Sequence, residues 1–210
     1  MLYIKKNNRT PRVFLDAKSQ FESYDDIPTE IKNNLKKYLI DEQGGLCAYC
    51  MARISENEST IEHYIPRNGD NADPTLAIEY RNLLAVCCNG RKNGINQHCD
   101  VSKGDKLISI DPRKESDIEQ LSYKTNGEIY SEKNDYSTDL NITLNLNNAT
   151  LKNNRKAALM SALEFYGKRS GGRWSKDFLQ RCLDRVTSKD PKTPYAGIII
   201  FELSKRLQRT

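Results

Sequence analysis

The sequence predicts an α+β protein built around a cysteine-rich metal core, with a helix in front of the core and a mainly helical C-terminal region behind it. Three observations carry that expectation. Apolar residues recur at helical spacing through the last third of the chain. Short runs at 107–110, 121–125 and 128–131 have the length and character of strands. Five of the six cysteines, and both histidines, fall between positions 47 and 99.

In chain order, residues 1–26 are polar and irregular, with Pro11 and a Val13-Phe14-Leu15 cluster that suits a strand or an arm. Pro28 sits at a helix start, and Ile31, Leu35, Tyr38 and Leu39 keep helical spacing until Gly44 and Gly45 stop the segment. Its lysines at 32, 36 and 37 read as a solvated face or a phosphate-contacting strip. This first unit, 1–45, delivers the chain to Cys47, where the metal core of 46–112 begins. A connector follows over 113–145, in which Asn126-Gly127 favours a type I′ hairpin turn.

The last unit, 146–210, is expected to be helical. Leu151, Ala158, Leu159, Ala162, Leu163 and Tyr166 share one face until Gly167 and Gly171-Gly172 break it. Ser175 caps the next helix, which carries Phe178, Leu179, Cys182, Leu183 and Val186, and Pro194 opens a third reaching Leu207. Cys182 reads as a core residue. The apolar run Ile198-Ile-Ile200 belongs either to the core or to a partner-docking face.

With 210 residues, 37% hydrophobic and 29% charged, the chain can bury a core and is not wholly disordered. Its net charge of +5 permits a nucleic-acid partner through local basic patches without demanding one. The first residues lack the apolar run of a signal peptide, and the longest apolar stretch, 195–201, is too short to span a bilayer, so a cytoplasmic protein is expected. In that reducing compartment clustered cysteines are metal ligands before they are disulfides.

Cys47-Ala-Tyr-Cys50 has the spacing of a zinc knuckle, a tight turn that lets both thiolates reach one tetrahedral ion. Cys87, Cys88 and Cys99 follow, with a basic, Gly- and Asn-containing loop from 89 to 98 between them. The expected set is Cys47, Cys50, Cys87 and Cys99, with Cys88 and His98 as the open alternatives at either end. Between the two halves lie Ile61-Glu-His-Tyr-Ile-Pro66 and Arg81-Asn-Leu-Leu-Ala-Val-Cys87, and after them Cys99-Asp-Val-Ser-Lys-Gly-Asp105.

In that ordered combination the chain resembles the HNH nucleases, whose ββα-metal motif has an acid–histidine pair on one strand, an Asn on the next and a metal-binding residue opening a helix. The resemblance implies Glu62 and Asp100 as ligands of a catalytic Mg²⁺ or Mn²⁺, His63 as the general base and Asn82 as the residue that orients it. Where the family often has Asn or His, this chain has Asp100. Lys103 and Arg67 would approach nucleic-acid phosphate. The chemistry needs such groups. A phosphodiester repels nucleophiles until a cation shields its oxygens, and a neutral imidazole can take the proton from the attacking water near pH 7. Zinc would have a structural role only, because a short ββα unit cannot bury enough apolar surface to fix itself.

The wider pattern is similar to the PtuB type, the HNH nucleases of bacterial Septu and retron-associated antiphage defence. It extends to the opening Tyr-Ile-Lys-Lys, to His98-Cys-Asp-Val-Ser-Lys-Gly-Asp105 and to Asn154-Arg-Lys-Ala-Ala-Leu159. That likeness implies an ABC-type ATPase partner, PtuA, and in some relatives a retron reverse transcriptase with its RNA–DNA product. The competing reading is a zinc-binding module that recognises nucleic acid or protein without cutting. An intact Glu62-His63 pair argues against it, since binding alone needs no base beside a carboxylate.

Overall fold

A computed structural model describes residues 1–88, 97–171 and 173–210. Most of the basic loop between the cysteine half-sites, at 89–96, and Gly172 of the expected helix break lie outside the described residues. The chain is α+β, with small two-stranded sheets and many helices.

The N-terminal arm is a helix, α1 (Arg12–Gln20), rather than irregular chain or a strand. Pro11 starts it, its carbonyl accepting from the amides of Phe14 and Leu15. Only Phe14 and Ala17 are buried, while Val13 and Leu15 stay exposed, so the apolar cluster does not report the buried face. The next helix, α2 (Thr29–Glu42), follows Pro28 as expected and buries Leu35, Leu39 and Ile40. Its end is closed by Gly44 and Gly45 at φ 66° and 75°, with Gly45 N–H donating to Ile40 O at 2.8 Å.

Strands β1 (Ser59–His63) and β2 (Leu83–Cys87) pair antiparallel, in a register that runs from Ser59 opposite Cys87 to His63 opposite Leu83. All five residues of β2 are buried. Its other edge is used as well. Buried Gln43, at the end of α2, donates to Ala85 O and accepts from Ala85 N–H, both at 2.8 Å, and Ala48 N–H also donates to Ala85 O. A single side chain thus ties α2, the cysteine turn and the sheet together.

A one-turn helix, α3 (Asp100–Lys103), comes next. The expected strand at 107–110 is not one, although Ile108 and Ile110 are buried. The amides of Ser109 and Ile110 go to a carboxylate oxygen of Asp139, at 2.6 and 3.1 Å, and need no ladder. After α4 (Glu115–Ile118) comes the hairpin of β3 (Ser122–Tyr123) and β4 (Ile129–Tyr130). Its turn is not type I′, which requires positive φ at both central residues. Only Gly127 is positive, at 89°, and its amide donates to Lys124 O, the pattern of a type I turn closed by a glycine bulge.

The short helix α5 (Asn134–Thr138) runs into a π turn at Asp139–Thr143, and the long helices follow: α6 (Ala149–Arg169), α7 (Lys176–Ser188) and α8 (Ala196–Arg209). Asn148 caps α6 and Ser175 caps α7, the latter as expected, whereas Pro194 precedes α8 by two residues and Tyr195 takes a left-handed conformation between them. Cys182 and Ile198 to Ile199 are core residues. Buried side chains from all four expected segments join one hydrophobic cluster, so the helical region packs onto the cysteine core rather than standing apart.

Buried Arg155 links hairpin and helices, donating to Gly127 O, Leu146 O and Asn147 Oδ1 at 2.6, 2.7 and 3.0 Å. A Cβ on Gly127 would lie 2.0 Å from the Lys152 carbonyl oxygen and would strain a positive φ. Gly127→Ala is therefore expected to lower unfolding free energy by about 2 kcal/mol or more, read as a shifted urea midpoint with unchanged slope.

Candidate functional site

The four cysteines picked from spacing come together. Cys47 and Cys50 lie in the turn after α2, Cys87 ends β2, and Cys99 immediately precedes α3. Their sulfurs all lie within 4.8 Å of one another, and all four residues are buried. Sγ–Sγ distances of 3.8 Å for Cys47–Cys99 and 3.7 Å for Cys50–Cys87 match the roughly 3.8 Å edge of a tetrahedron with Zn–S near 2.3 Å. This cluster could hold a zinc ion. The turn is built for it: Met51 takes a positive φ of 65°, and Ala52 N–H points at Cys50 Sγ from 3.5 Å.

Of the open alternatives, Cys88 is half-buried and outside the sulfur cluster, while His98 lies beside it, its Nδ1 3.1 Å from Cys99 Sγ and 3.9 Å from Cys87 Sγ. Contacts with Cys47 and burial push the Cys50 thiol up, and burial pushes Cys99 up. Hydrogen bonds from Cys47, Cys50 and Cys99 drive Cys87 far down. So many buried sulfurs cannot all ionise unless a cation joins them.

Glu62 is buried on β1, only 5% exposed. Its Oε1 is 2.8 Å from the Lys103 ammonium and accepts from the Tyr49 hydroxyl at 3.2 Å. Asp100 is within hydrogen-bonding reach of the same carboxyl. Burial raises Glu62 to about 7, Lys103 pulling it down and Asp100 pushing it further up. Lys103 does not reach outward as expected of a phosphate contact. Its side chain is fully buried, and Nζ also donates to His63 O at 3.3 Å and Gly104 O at 3.4 Å.

His63 ends β1 and is buried, with Nε2 3.0 Å from the Ala77 carbonyl oxygen. A carbonyl only accepts, so Nε2 carries the proton and Nδ1 keeps its lone pair. Burial lowers the imidazole to about 4, with nearby Arg67 and Lys103 adding to the effect against the Ala77 bond, so it is neutral near pH 7. The Tyr24 ring meets His63 edge-on, centroids 4.6 Å apart.

Asn82 does not touch the imidazole. Its amide accepts from Ile65 N–H at 2.8 Å and donates to Ile65 O at 2.9 Å and Leu76 O at 3.1 Å, fixing the loop whose next residue, Ala77, holds His63. Arg67 lies at the rim, paired with Asp25 at 2.6 Å. Sequence reasoning missed Tyr49, Tyr24 and the Ala77 carbonyl. Tyr49 was visible as the spacer inside Cys47-Ala-Tyr-Cys50, but nothing in the sequence marks the other two.

No protein-family model matches the chain. It is similar to "Retron Vc95 putative HNH endonuclease" of Vibrio cholerae serotype O1 biovar El Tor, with 30% identity over 135 residues, 61% of this chain and 65% of the relative. It is also similar to "Retron Ec83 putative HNH endonuclease" of Escherichia coli, with 34% identity over 79 residues, 33% of this chain and 31% of the relative. The chain thus spans less than two thirds of the length of either curated relative.

Two outcomes are expected from this geometry. Cys87→Ser should strip zinc, measured by elemental analysis, and lower the thermal midpoint sharply, while Cys88→Ser should retain the wild-type metal content. His63 is neutral in the fold but takes a proton in the unfolded chain below 6.5, so its contribution to stability is complete above that pH and is lost as pH falls toward 4. His63→Gln should therefore lose less stability than wild type between pH 7.5 and 4.5 in urea titrations, and an equal loss would contradict the buried neutral imidazole.

Proposed function

We propose that the chain is an HNH-type endonuclease that hydrolyses nucleic-acid phosphodiesters, with His63 as general base, Glu62 and Asp100 as ligands of a catalytic divalent cation, and the four cysteines on a structural zinc. The observation that carries this reading is the tautomer of His63. A buried, neutral imidazole with Nε2 fixed on a backbone carbonyl leaves Nδ1 as a proton acceptor, and the neighbouring residue, Glu62, converges with Asp100. The names of the two relatives point the same way.

The donor set suits a hard cation. Two carboxyl groups meet where burial and mutual repulsion hold one of them near neutrality, the signature of a place short of positive charge, and Lys103 supplies part of what is missing. When bound there, Mg²⁺ or Mn²⁺ would shield the phosphate oxygens and stabilise the charge that builds on them. The remaining work belongs to the chain. Nδ1 of His63 accepts the proton of the attacking water, and Ala77 O steadies the imidazolium that results. Asn82 holds the loop that carries Ala77. Lys103 neutralises Glu62 and braces the end of β1 through His63 O. Arg67 stands at the rim as the phosphate contact, sharing its guanidinium with Asp25.

The finer assignments follow from the resemblance: a PtuB-type effector in retron or Septu antiphage defence, controlled by an ABC-type ATPase, PtuA, with a reverse transcriptase product as a further partner. The relatives' names support the retron setting. Among the described residues no helix is long and apolar enough to cross a membrane.

The test is cleavage of plasmid DNA and total tRNA in Mg²⁺ or Mn²⁺, with the ATPase partner present. Wild type should cut one of them, and His63→Ala, with zinc and fold intact, should fall by at least about a hundredfold. Full cutting by His63→Ala would remove the assigned base. No cutting by folded, zinc-loaded wild type would favour the recognition module instead.

A further inference from the structure

Among the described residues the imidazole of His63 is hydrogen-bonded at one nitrogen, to Ala77 O, and a ring fixed at a single point can still pivot about that bond. What closes off the pivot comes from outside the strands. Tyr24 lies in the segment between α1 and α2, and its ring packs against His63 at an interplanar angle of 86°. Edge-to-face aromatic packing prefers one orientation of both planes, which a point contact does not.

Tyr24 is itself held. Arg67 pairs with Asp25 at 2.6 Å and places its guanidinium 5.3 Å from the centre of the Tyr24 ring. Lys32 Nζ lies 5.0 Å from the same centre and donates to Asp25 O at 3.1 Å. Two cations thus converge on one aromatic ring and on the residue beside it, a clasp worth more than a surface ion pair alone.

We propose that Tyr24 is a positioning residue for His63: its ring fixes the plane of the imidazole, and the Arg67–Asp25 clasp fixes Tyr24. The proposal rests on His63 being the general base. Tyr24 touches no reacting atom and acts only by aiming Nδ1 at the water.

The two histidines of the chain make the test direct, because a histidine-selective nitrogen NMR spectrum holds signals from His63 and His98 alone, and His63→Gln tells them apart. Wild-type His63 should show the shifts of a single Nε2–H tautomer. Tyr24→Leu should keep that tautomer, because the Ala77 bond remains, but should broaden the His63 signals as the ring pivots, and should lower kcat about tenfold with KM little changed, the size expected for one aromatic pair. Tyr24→Phe, which keeps the ring, should restore both. Asp25→Asn, which loosens the clasp without touching the core, should move both readouts in the same direction by less. Wild-type line widths and kcat in Tyr24→Leu would overturn the proposal, as would a raised KM at constant kcat, which marks a substrate contact. If Tyr24→Leu does not fold, Asp25→Asn decides, and an unchanged His63 spectrum sinks the idea. Should wild type cleave nothing, the nuclease reading falls while the NMR comparison still decides whether Tyr24 fixes the imidazole.

Discussion

The convergence of four sulfurs is the constraint on which the rest of the site depends. It ties the start of α3 to the turn after α2 and the end of β2, two pieces that Gln43 already joins through Leu46 and Ala85. A four-residue helix such as α3 has no stability of its own, since nucleating a turn costs more than one turn returns. Cys99 anchors its first turn and so decides where Asp100 and Lys103 can be. Cys87 anchors β2, and through the β1–β2 register it decides where Glu62 and His63 can be. Through those anchors the sulfur cluster sets the geometry of Glu62, His63, Asp100 and Lys103.

Around that anchor, burial and charge are balanced against each other. Glu62 has lost most of its water, and Lys103 and Tyr49 return only part of the stabilisation that water gave. A buried ion pair of this kind contributes little net stability, but it fixes one arrangement of its partners, because breaking it leaves a bare charge in the interior. Burial favours the neutral form of His63 as well, and with no carboxylate among the described residues bonded to its ring the imidazole is uncharged near pH 7. Of these two adjacent strand residues, Glu62 has a buried cation to draw it back toward its charged form.

Much of this was legible in the sequence because the features were local. The Cys-x-x-Cys turn, Pro28 ahead of α2, the glycine pair behind it and Ser175 ahead of α7 each act within a few residues. What was not legible depends on distant partners. The run 107–110 has strand composition, but a carboxylate about thirty residues away takes its amides. Helix α1 hides behind Val13 and Leu15, apolar residues that face water. The direction of Lys103 is also a tertiary fact: the same side chain would suit a phosphate outside or a carboxylate inside, and the buried Glu62 decided it. Tyr24 carries no motif and is recognisable only from the ring it meets.

Glu62 and His63 are consecutive residues of β1, so their side chains leave the strand on opposite faces, and the imidazole must find its partner away from the carboxylate. In this fold the strand ends at His63. Beyond it, Tyr64 N–H still reaches Asn82 O, and the Asn82 side chain then gathers Ile65 and Leu76, bending the chain so that Ala77 O arrives at the imidazole. That geometry explains the residue type. The site needs one acceptor for an amide and two donors for carbonyls, all from one short side chain that is buried. Aspartate has the same shape but would set a carboxylate against two carbonyl oxygens, and no apolar residue could make any of the three bonds. Asn82 is therefore a requirement of loop closure, and it bears on His63 through the backbone it holds.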